Sequence, residues 1–287
     1  MQDLIKTQKL YNGEVIVTFN AGTPDKPKHL YHVMEETGKQ KRLVGVTTYL
    51  GIINKPMLIP WAVETTVNYL KDHIDDLQTE PRQLLDMAKK ESDRVKNEAG
   101  DIGSNIHEWI EMYIKNKIGG GDAPIMPEDE RVLNGVNNFL DWAKENNPTF
   151  EASEYIVYSR KYGYVGQIDI IAVINGKRYL LDIKTSNGVW PEMLAQTAAY
   201  RKAYEEETGK MFYGRMILKI NKDTEAEHNE KLAKKDLEPD LYPYKIFEAI
   251  ALDEEEDTTE QDFKCFLATM DIYEWQKIAN KHLKNIR

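Results

Sequence analysis

The sequence has little cysteine, no long apolar run and no excess of positive charge, and each absence excludes a class of protein. Cys265 is the only cysteine, which excludes an intramolecular disulfide and a four-cysteine zinc or iron–sulfur site and suits a reducing cytoplasm. No stretch approaches the roughly 18 apolar residues of a membrane helix, and no basic start precedes an apolar run, so we expect neither export nor a membrane partner. The net charge of −10 argues against a uniformly basic, phosphate-binding surface, but it is compatible with a local basic channel.

What is present indicates a globular chain in two parts. Hydrophobic residues make up 41% of the 287 residues, enough for a substantial core. Residues 1–150 begin with two strand-like runs, at 14–19 and 29–34, and continue as helices, with a break expected at Gly100. Residues 151–287 read as strands, a helix, further strands and a long C-terminal helix, with a charged excursion without regular structure at 221–240. This order of elements predicts an α/β fold in which helices flank a mixed β-sheet, preceded by a helix-rich N-terminal portion. We expect the two parts to form one compact domain.

The most informative segment is a predicted hairpin around Asn175-Gly176. This dipeptide between two apolar runs favours a two-residue type I′ turn, which fixes the strand register. Ile174 then faces Lys177, and continuing the pairing places Asp169 opposite Asp182 and Gln167 opposite Lys184. Because side chains alternate along a strand, these four polar residues share one face. The other face is expected to carry the apolar residues Ile168, Ile170, Ala172, Tyr179, Leu181 and Ile183.

Two carboxylates opposed across a strand pair repel each other, with Cβ atoms about 5 Å apart. A divalent cation with oxygen ligands would offset that repulsion, and Lys184 would add a fixed positive charge beside it. The alternative interpretation is that Asp169 and Asp182 are solvated surface acids and that Lys184 is an ordinary ion-pair partner. A slip of one residue in the register would move one aspartate to the other face.

Five segments in order resemble the PD-(D/E)xK nuclease superfamily, and within it the RecB-like and phage exonucleases. The resemblance covers about Val46 to Ile220 and implies a restriction-endonuclease-like core. The matching segments are Val46-Thr-Thr-Tyr-Leu50, Gly103-Ser-Asn-Ile-His107, Gly166-Gln-Ile-Asp169, Asp182-Ile-Lys184-Thr185 and Gln196-Thr-Ala-Ala-Tyr200.

The resemblance also implies roles for individual residues. Asp169 and Asp182 would hold Mg²⁺ or Mn²⁺, the main-chain carbonyl of Ile183 would complete the shell, and Lys184 would orient or activate the attacking water. His107 would be a metal ligand or a group near the scissile phosphate, although a histidine at the edge of an apolar stripe is often structural.

Three further catalytic candidates lie nearby. The resemblance also implies that Glu154, in the strand before Asp169, joins the acids, although its register cannot be derived from the sequence. Gln196 and Tyr200 are four residues apart and share a helix face. They would contact the substrate backbone or support the metal site, and simple packing at the boundary between helix and sheet is the alternative.

The functional prediction is metal-dependent hydrolysis of DNA. We expect an exonuclease acting on DNA ends or single strands in replication, recombination or phage DNA metabolism, in the cytoplasm of a bacterium or a phage-infected cell. Residues 1–150 would wall one side of the groove, and residues 151–287 would form the catalytic core. Candidates for phosphate contacts are Arg160, Lys161, Arg201 and Lys202, each of which could also be ordinary surface charge.

Two other functions remain open, as does the question of partners. One is a structure-selective endonuclease or nickase on the same fold, and the other is a catalytically silent nucleic-acid-binding or interaction module. A homo-oligomer or a recombination partner protein is compatible with the resemblance.

Overall fold

Two β-sheets and seven α-helices make up the described part of the chain. The structure, a computed structural model, describes residues 5–23, 26–36, 38–119, 122–234 and 236–286. The strands are β1 Ile5–Leu10, β2 Val15–Thr23, β3 Lys26–Met34, β4 Gln40–Leu43, β5 Thr149–Ser159, β6 Tyr164–Ile174, β7 Lys177–Lys184, β8 Gly214–Ile220 and β9 Phe247–Asp253. The helices are α1 Val46–Leu50, α2 Leu58–Asp72, α3 Pro81–Gly119, α4 Glu130–Asn146, α5 Pro191–Thr208, α6 Glu225–Ala233 and α7 Thr259–Ile286.

The larger sheet has the strand order β5-β6-β7-β8-β9. Adjacent strands in this sheet are antiparallel, except that β7 and β8 are parallel. A parallel pair needs a long crossover, and α5 supplies it. The molecule is therefore a mixed α/β protein, as the order of elements in the sequence predicts.

Helices cover both faces of the larger sheet. Buried residues of α3 and α4, including Ile106, Ile110 and Trp142, pack on one face. Residues of α1, α5 and α7, including Ala199 and Phe266, pack on the other. No helix in the described ranges is both long enough and apolar enough to cross a bilayer.

The smaller sheet has the order β1-β2-β3-β4. The predicted pairing of the two N-terminal strand-like runs is confirmed, since β2 and β3 are antiparallel. The flanking strands β1 and β4 are absent from the prediction because they are short and polar. One face of this sheet packs against β5 and β6 through a third cluster of buried side chains that includes Val17, Tyr31 and Ile156.

Two helical predictions are wrong. The break expected at Gly100 does not occur, because α3 runs without interruption from Pro81 to Gly119. A glycine is needed nearby for a different reason: a Cβ at Gly103 would lie 2.6 Å from Thr185 Oγ1. The charged segment 221–240 also contains α6, which begins with a capping box formed by Thr224 and Glu227.

Candidate metal centre

The hairpin that carries the two predicted aspartates forms with the expected register. Asn175 and Gly176 have φ angles of 50° and 76°, as a type I′ turn requires. Pairing runs from Ile174 with Lys177 to Ile170 with Leu181. The next residues along the two strands are Asp169 and Asp182.

The regular alternation of side chains breaks at Asp169. Ile170 packs in the cluster formed with α3 and α4, whereas Ile168 packs in the cluster formed with α5 and α7. In a regular strand both would share a face, so the predicted face of six apolar residues is wrong at Ile168. Next to Asp169, on β5, Glu154 has a φ of 53°, a left-handed conformation that costs a residue other than glycine about 1 kcal/mol or more. Strain of this kind is often found at functional sites.

Glu154, Asp169 and His107 converge at this irregularity. One donor atom from each lies within 4.8 Å of the others, and His107 Nδ1 is 3.8 Å from Asp169 Oδ2. Asp169 Oδ2 also accepts a hydrogen bond of 2.7 Å from the Ile183 N–H. Where β6 and β7 stop pairing, the Ile183 N–H therefore donates to the Asp169 side chain and not to a main-chain carbonyl. The main chain of Ile183 thus borders the group formed by His107, Glu154 and Asp169.

Asp182 lies outside this three-residue group and has different contacts. Its Oδ1 accepts a hydrogen bond of 3.0 Å from Gln196 Nε2, and its Oδ2 is 2.5 Å from Lys184 Nζ in an ion pair. Oδ2 is buried and has no partner in hydrogen-bond geometry. The structure thus groups Asp169 with Glu154 and His107, and the joint binding of a metal ion by Asp169 and Asp182 stays a prediction.

Gln196 and Tyr200 support Asp182 from α5. Gln196 Nε2 lies 3.1 Å from Tyr200 Oη as well as near Asp182. Tyr200 is only 4% exposed, so its side chain is not placed to contact a nucleic-acid backbone. Of the roles left open by the sequence, the structure favours support of the site for Tyr200.

Accessibility separates the donor group from Asp182. The side chains of His107, Glu154 and Asp169 are 30%, 19% and 17% exposed, whereas that of Asp182 is 1% exposed. The three grouped side chains are thus partly exposed to solvent, whereas Asp182 is buried.

The pKa values show that the acids are held without enough positive charge. Burial raises the pKa of Glu154 to about 8, with repulsion from Asp169 adding to the effect and Lys6 opposing it. Burial, opposed by Lys184 and reinforced by Asp169, raises the pKa of Asp182 to about 6. The pKa of Asp169 is also raised by burial, against the charge of Lys184 and the Ile183 N–H. A cation among these groups would favour their ionised forms.

His107 and Lys184 are perturbed in opposite directions. Burial and the nearby charge of Lys184 lower the pKa of His107 to about 4, so its imidazole is neutral at pH 7 and retains a nitrogen lone pair. Burial works against the charge of Lys184, but Asp182 and Asp169 outweigh it and raise the pKa of its ammonium group. Lys184 therefore carries a full positive charge at neutral pH.

The donor set fits a divalent metal ion. A neutral imidazole and two carboxylates are common ligands for Mn²⁺, and carboxylates also suit Mg²⁺. Asp182, whose Oδ2 is paired with Lys184, is a further carboxylate close enough for its pKa to be raised by Asp169.

The four basic residues predicted to contact phosphate differ in their surroundings. Arg201 is 8% exposed, and its guanidinium bonds to Glu205, Asp257, Thr259 and the Phe212 carbonyl. These contacts give it a structural role, and the structure argues against the phosphate contact expected of it. Lys202 pairs with Glu260, Arg160 pairs with Glu14 at 2.9 Å, and Lys161 lies over the Tyr162 ring.

Sequence reasoning missed two residues beside the site, Lys6 and Glu111. Lys6 Nζ lies 2.8 Å from Glu111 Oε1 and 3.5 Å from Glu154 Oε2. Glu111 follows His107 by four residues on α3, a helical spacing that would have placed it on the same face. The sequence gives no comparable signal for Lys6, because its strand was not predicted.

Comparison with known proteins adds little to this geometry. No family model matches the chain. A solved structure described as "Crystal structure of SSO0001" is similar over 49% of this chain and 61% of that chain, with 15% identity and a TM-score of 0.25. The chain thus spans about three fifths of that structure's length, and a likeness this weak supports no conclusion about fold or function.

Proposed function

We propose that the protein is a metal-dependent nuclease that hydrolyses DNA phosphodiester bonds on a restriction-endonuclease-like core of the PD-(D/E)xK type. The observation that carries the proposal is the convergence of His107, Glu154 and Asp169 beside the Asp182–Lys184 ion pair. Surface acids would be solvated and separate. Glu154 and Asp169 are partly buried and close together, and their pKa values are raised, as expected of a site that takes up a cation.

His107, Glu154 and Asp169 would hold Mg²⁺ or Mn²⁺, with Asp182 Oδ2 and the Ile183 carbonyl bordering the site. The ion would supply Lewis-acid stabilisation of charge on the phosphoryl oxygens and a hydroxide nucleophile near neutral pH. His107 is neutral and requires no proton loss before it can bind a metal.

Lys184 has an electrostatic role in this proposal. Its pKa is raised, so the ammonium remains protonated and does not act as a general base at neutral pH. Asp182 fixes its position through the 2.5 Å contact. Gln196, which also bonds to Tyr200, holds Asp182 from α5. A positioned ammonium can orient the attacking water and stabilise negative charge that develops on the phosphate.

The test compares end-labelled linear DNA, single- and double-stranded, with covalently closed circles. Each substrate is incubated with Mg²⁺, Mn²⁺ or a chelator, with wild-type protein and with Asp169→Asn as the matched inactive control. We expect metal-dependent loss of the linear substrates, intact circles, and no cleavage by Asp169→Asn. Nicked or linearised circles would instead indicate the endonuclease alternative. If the wild-type protein bound DNA but cleaved it neither with Mg²⁺ nor with Mn²⁺, the proposal would be contradicted and a silent nucleic-acid-binding module would be indicated.

A further inference from the structure

The N-terminal strand β1 brings a lysine into the candidate metal centre. We propose that Lys6 is a positioning residue that holds the metal ligand Glu154 in place, so that the N-terminal sheet is part of the active centre. This inference rests on the proposed function, because it assumes that Glu154 binds a metal ion.

Side-chain contacts fix β1 along the edge strand β5. The Gln8 amide makes two hydrogen bonds to the main chain of Ile156, donating to its carbonyl at 3.0 Å and accepting from its N–H at 2.9 Å. Farther along, Tyr11 Oη donates to the Tyr158 carbonyl at 2.9 Å. Lys6 precedes Gln8 by two residues, as Glu154 precedes Ile156. The same side-by-side arrangement therefore delivers Lys6 to Glu154.

Lys6 connects the two elements that bear the other parts of the site. Its ammonium lies 3.5 Å from Glu154 Oε2 on β5 and 2.8 Å from Glu111 Oε1 on α3. Glu111 is one helical turn from His107 on α3. Lys6 therefore ties the strand that carries one metal ligand to the helix that carries another.

Glu154 needs such a tether because its position is unfavourable in itself. Its backbone is left-handed, and its carboxylate lies among the donor atoms that include Asp169. In the ionised form that binds a metal, repulsion by Asp169 would favour rotation of Glu154 towards solvent, to which its side chain is already 19% exposed. The Lys6 ammonium opposes that rotation, and partners of metal ligands commonly contribute 10- to 100-fold to metal affinity in this way.

Lys115 offers a matched control. Its ammonium lies 2.6 Å from the same Glu111 oxygen, but it has no contact with Glu154 among the described ion pairs. Replacement of Lys115 removes a charge from Glu111 as replacement of Lys6 does, and it leaves the tether of Glu154 intact. A difference in metal affinity between the Lys6 and Lys115 variants therefore measures the effect of the Lys6–Glu154 contact.

The experiment measures the dissociation constant of Mn²⁺ for the full chain by calorimetry. We expect about 10- to 100-fold weaker binding for Lys6→Met, binding within a few-fold of wild type for Lys6→Arg, and no change for Lys115→Met. The double variant Lys6→Met/Glu111→Gln removes both charges of the Lys6–Glu111 pair and should also bind weakly, which keeps the test valid if Lys6→Met alone folds poorly. Thermal unfolding without metal checks the fold of each variant.

Three outcomes would overturn the proposal. Wild-type affinity in Lys6→Met or in the double variant would show that Glu154 needs no tether, and equal losses in Lys6→Met and Lys115→Met would assign the effect to Glu111. Failure of the proposed function looks different, because the wild type would then bind no Mn²⁺, or Asp169→Asn would bind it as tightly as the wild type. In that case no metal ligand exists for Lys6 to position, and the proposal falls with it.

Discussion

Two clusters of buried charge in this molecule differ in how completely they are paired. In the first, which we call the anchor cluster, Arg201 and Arg215 face Asp257 and Asp262 and join α5 and β8 to the start of α7. The second is the candidate metal centre. Arg215 is fully buried, and its guanidinium reaches Asp262 at 2.8 Å, the Leu194 carbonyl at 2.8 Å and Thr197 at 3.0 Å.

The net pKa shift of Asp257, in the anchor cluster, is opposite in direction to the shifts of the acids in the candidate metal centre. Burial would raise the pKa of Asp257, but hydrogen bonds from Thr259 and the charge of Arg201 outweigh it and lower the pKa. In the metal centre the pKa values of Glu154, Asp169 and Asp182 are all raised. In the anchor cluster, arginines of the protein pair with both carboxylates. The acids of the metal centre are stabilised far less by their neighbours, and this is why we assign a ligand to that cluster alone.

The largest expected difference between the clusters is in catalysis. Asp182→Asn should reduce Mg²⁺-dependent cleavage on the order of 10³-fold, or about 4 kcal/mol of transition-state stabilisation, because it removes the charge that fixes Lys184. The measurement is the single-turnover rate on end-labelled DNA. Asp262→Asn, in the anchor cluster, is the control and should lower the unfolding temperature while leaving the rate per folded molecule unchanged. Equal rates for Asp182→Asn and the wild type would remove Asp182 from the mechanism.

The second difference is in stability, where the anchor cluster should dominate. Arg215→Met removes a fully buried guanidinium and leaves the partly buried Asp262 without its cation, and it should lower the free energy of unfolding in urea by about 3 kcal/mol or more. Arg178→Met is the matched surface control: Arg178 makes two hydrogen bonds to Glu151, at 2.7 and 2.9 Å, and its loss should cost less than about 1 kcal/mol. Similar values for the two variants would mean that the anchor cluster contributes no more than a surface pair.

A third difference should appear in the pH dependence of stability without metal. The pKa of Glu154 is raised from its ordinary 4.5 to about 8, so the folded state binds this proton more tightly than the unfolded state. The resulting stability is lost as pH rises towards 8, by about 1 kcal/mol per pH unit. Asp169 shifts in the same direction. His107 contributes a smaller slope of opposite sign near pH 6.5 to 7, because folding lowers its pKa from 6.5 to about 4 and the unfolded state still binds part of a proton there.

Urea unfolding between pH 6.5 and 8, in the presence of a chelator, measures that slope. Glu154→Gln should flatten it. Asp257→Asn, in the anchor cluster, should leave it unchanged, because a carboxylate with a lowered pKa loses its contribution only in acid. If the free energy of unfolding of Glu154→Gln depended on pH as steeply as that of the wild type, Glu154 would not be the titrating group.

The smallest expected effect concerns exposed charges outside both clusters. If Arg160 and Lys161 contact phosphate, replacing both by alanine should reduce the slope of log binding constant against log salt by about 0.7 to 0.9 for each phosphate that is no longer neutralised. Fluorescence anisotropy with labelled single-stranded DNA measures the slope, with Lys234→Ala as a control for an exposed lysine that pairs within its own helix. An unchanged slope would classify Arg160 and Lys161 as ordinary surface charge.

Local signals made much of the fold predictable, because they need no knowledge of distant contacts. Asn175-Gly176 determines a turn type and hence the register of the β6–β7 hairpin. The alternation between apolar and polar residues predicts β2 and β3, and the α/β class follows from the order of elements.

The arrangement of the site was less predictable, because it depends on contacts between distant segments. The break at Asp169 accompanies a change of packing partner, from α3 and α4 on one side of it to α5 and α7 on the other. Lys6 reaches Glu154 only because Gln8 fixes β1 on β5. Arg201 shows the converse: a basic residue on a helix reads the same in the sequence whether it faces solvent or pairs with an aspartate 56 residues away.

The central claim is that one buried cluster binds a divalent cation and the other does not. Anomalous diffraction from crystals soaked in Mn²⁺ tests it most directly. We predict a peak bound by His107, Glu154 and Asp169, at ligand distances of about 2.0 to 2.3 Å, and no peak at Asp257 or Asp262. Soaked crystals with no peak among His107, Glu154 and Asp169, or with Mn²⁺ at the anchor cluster instead, would contradict the account.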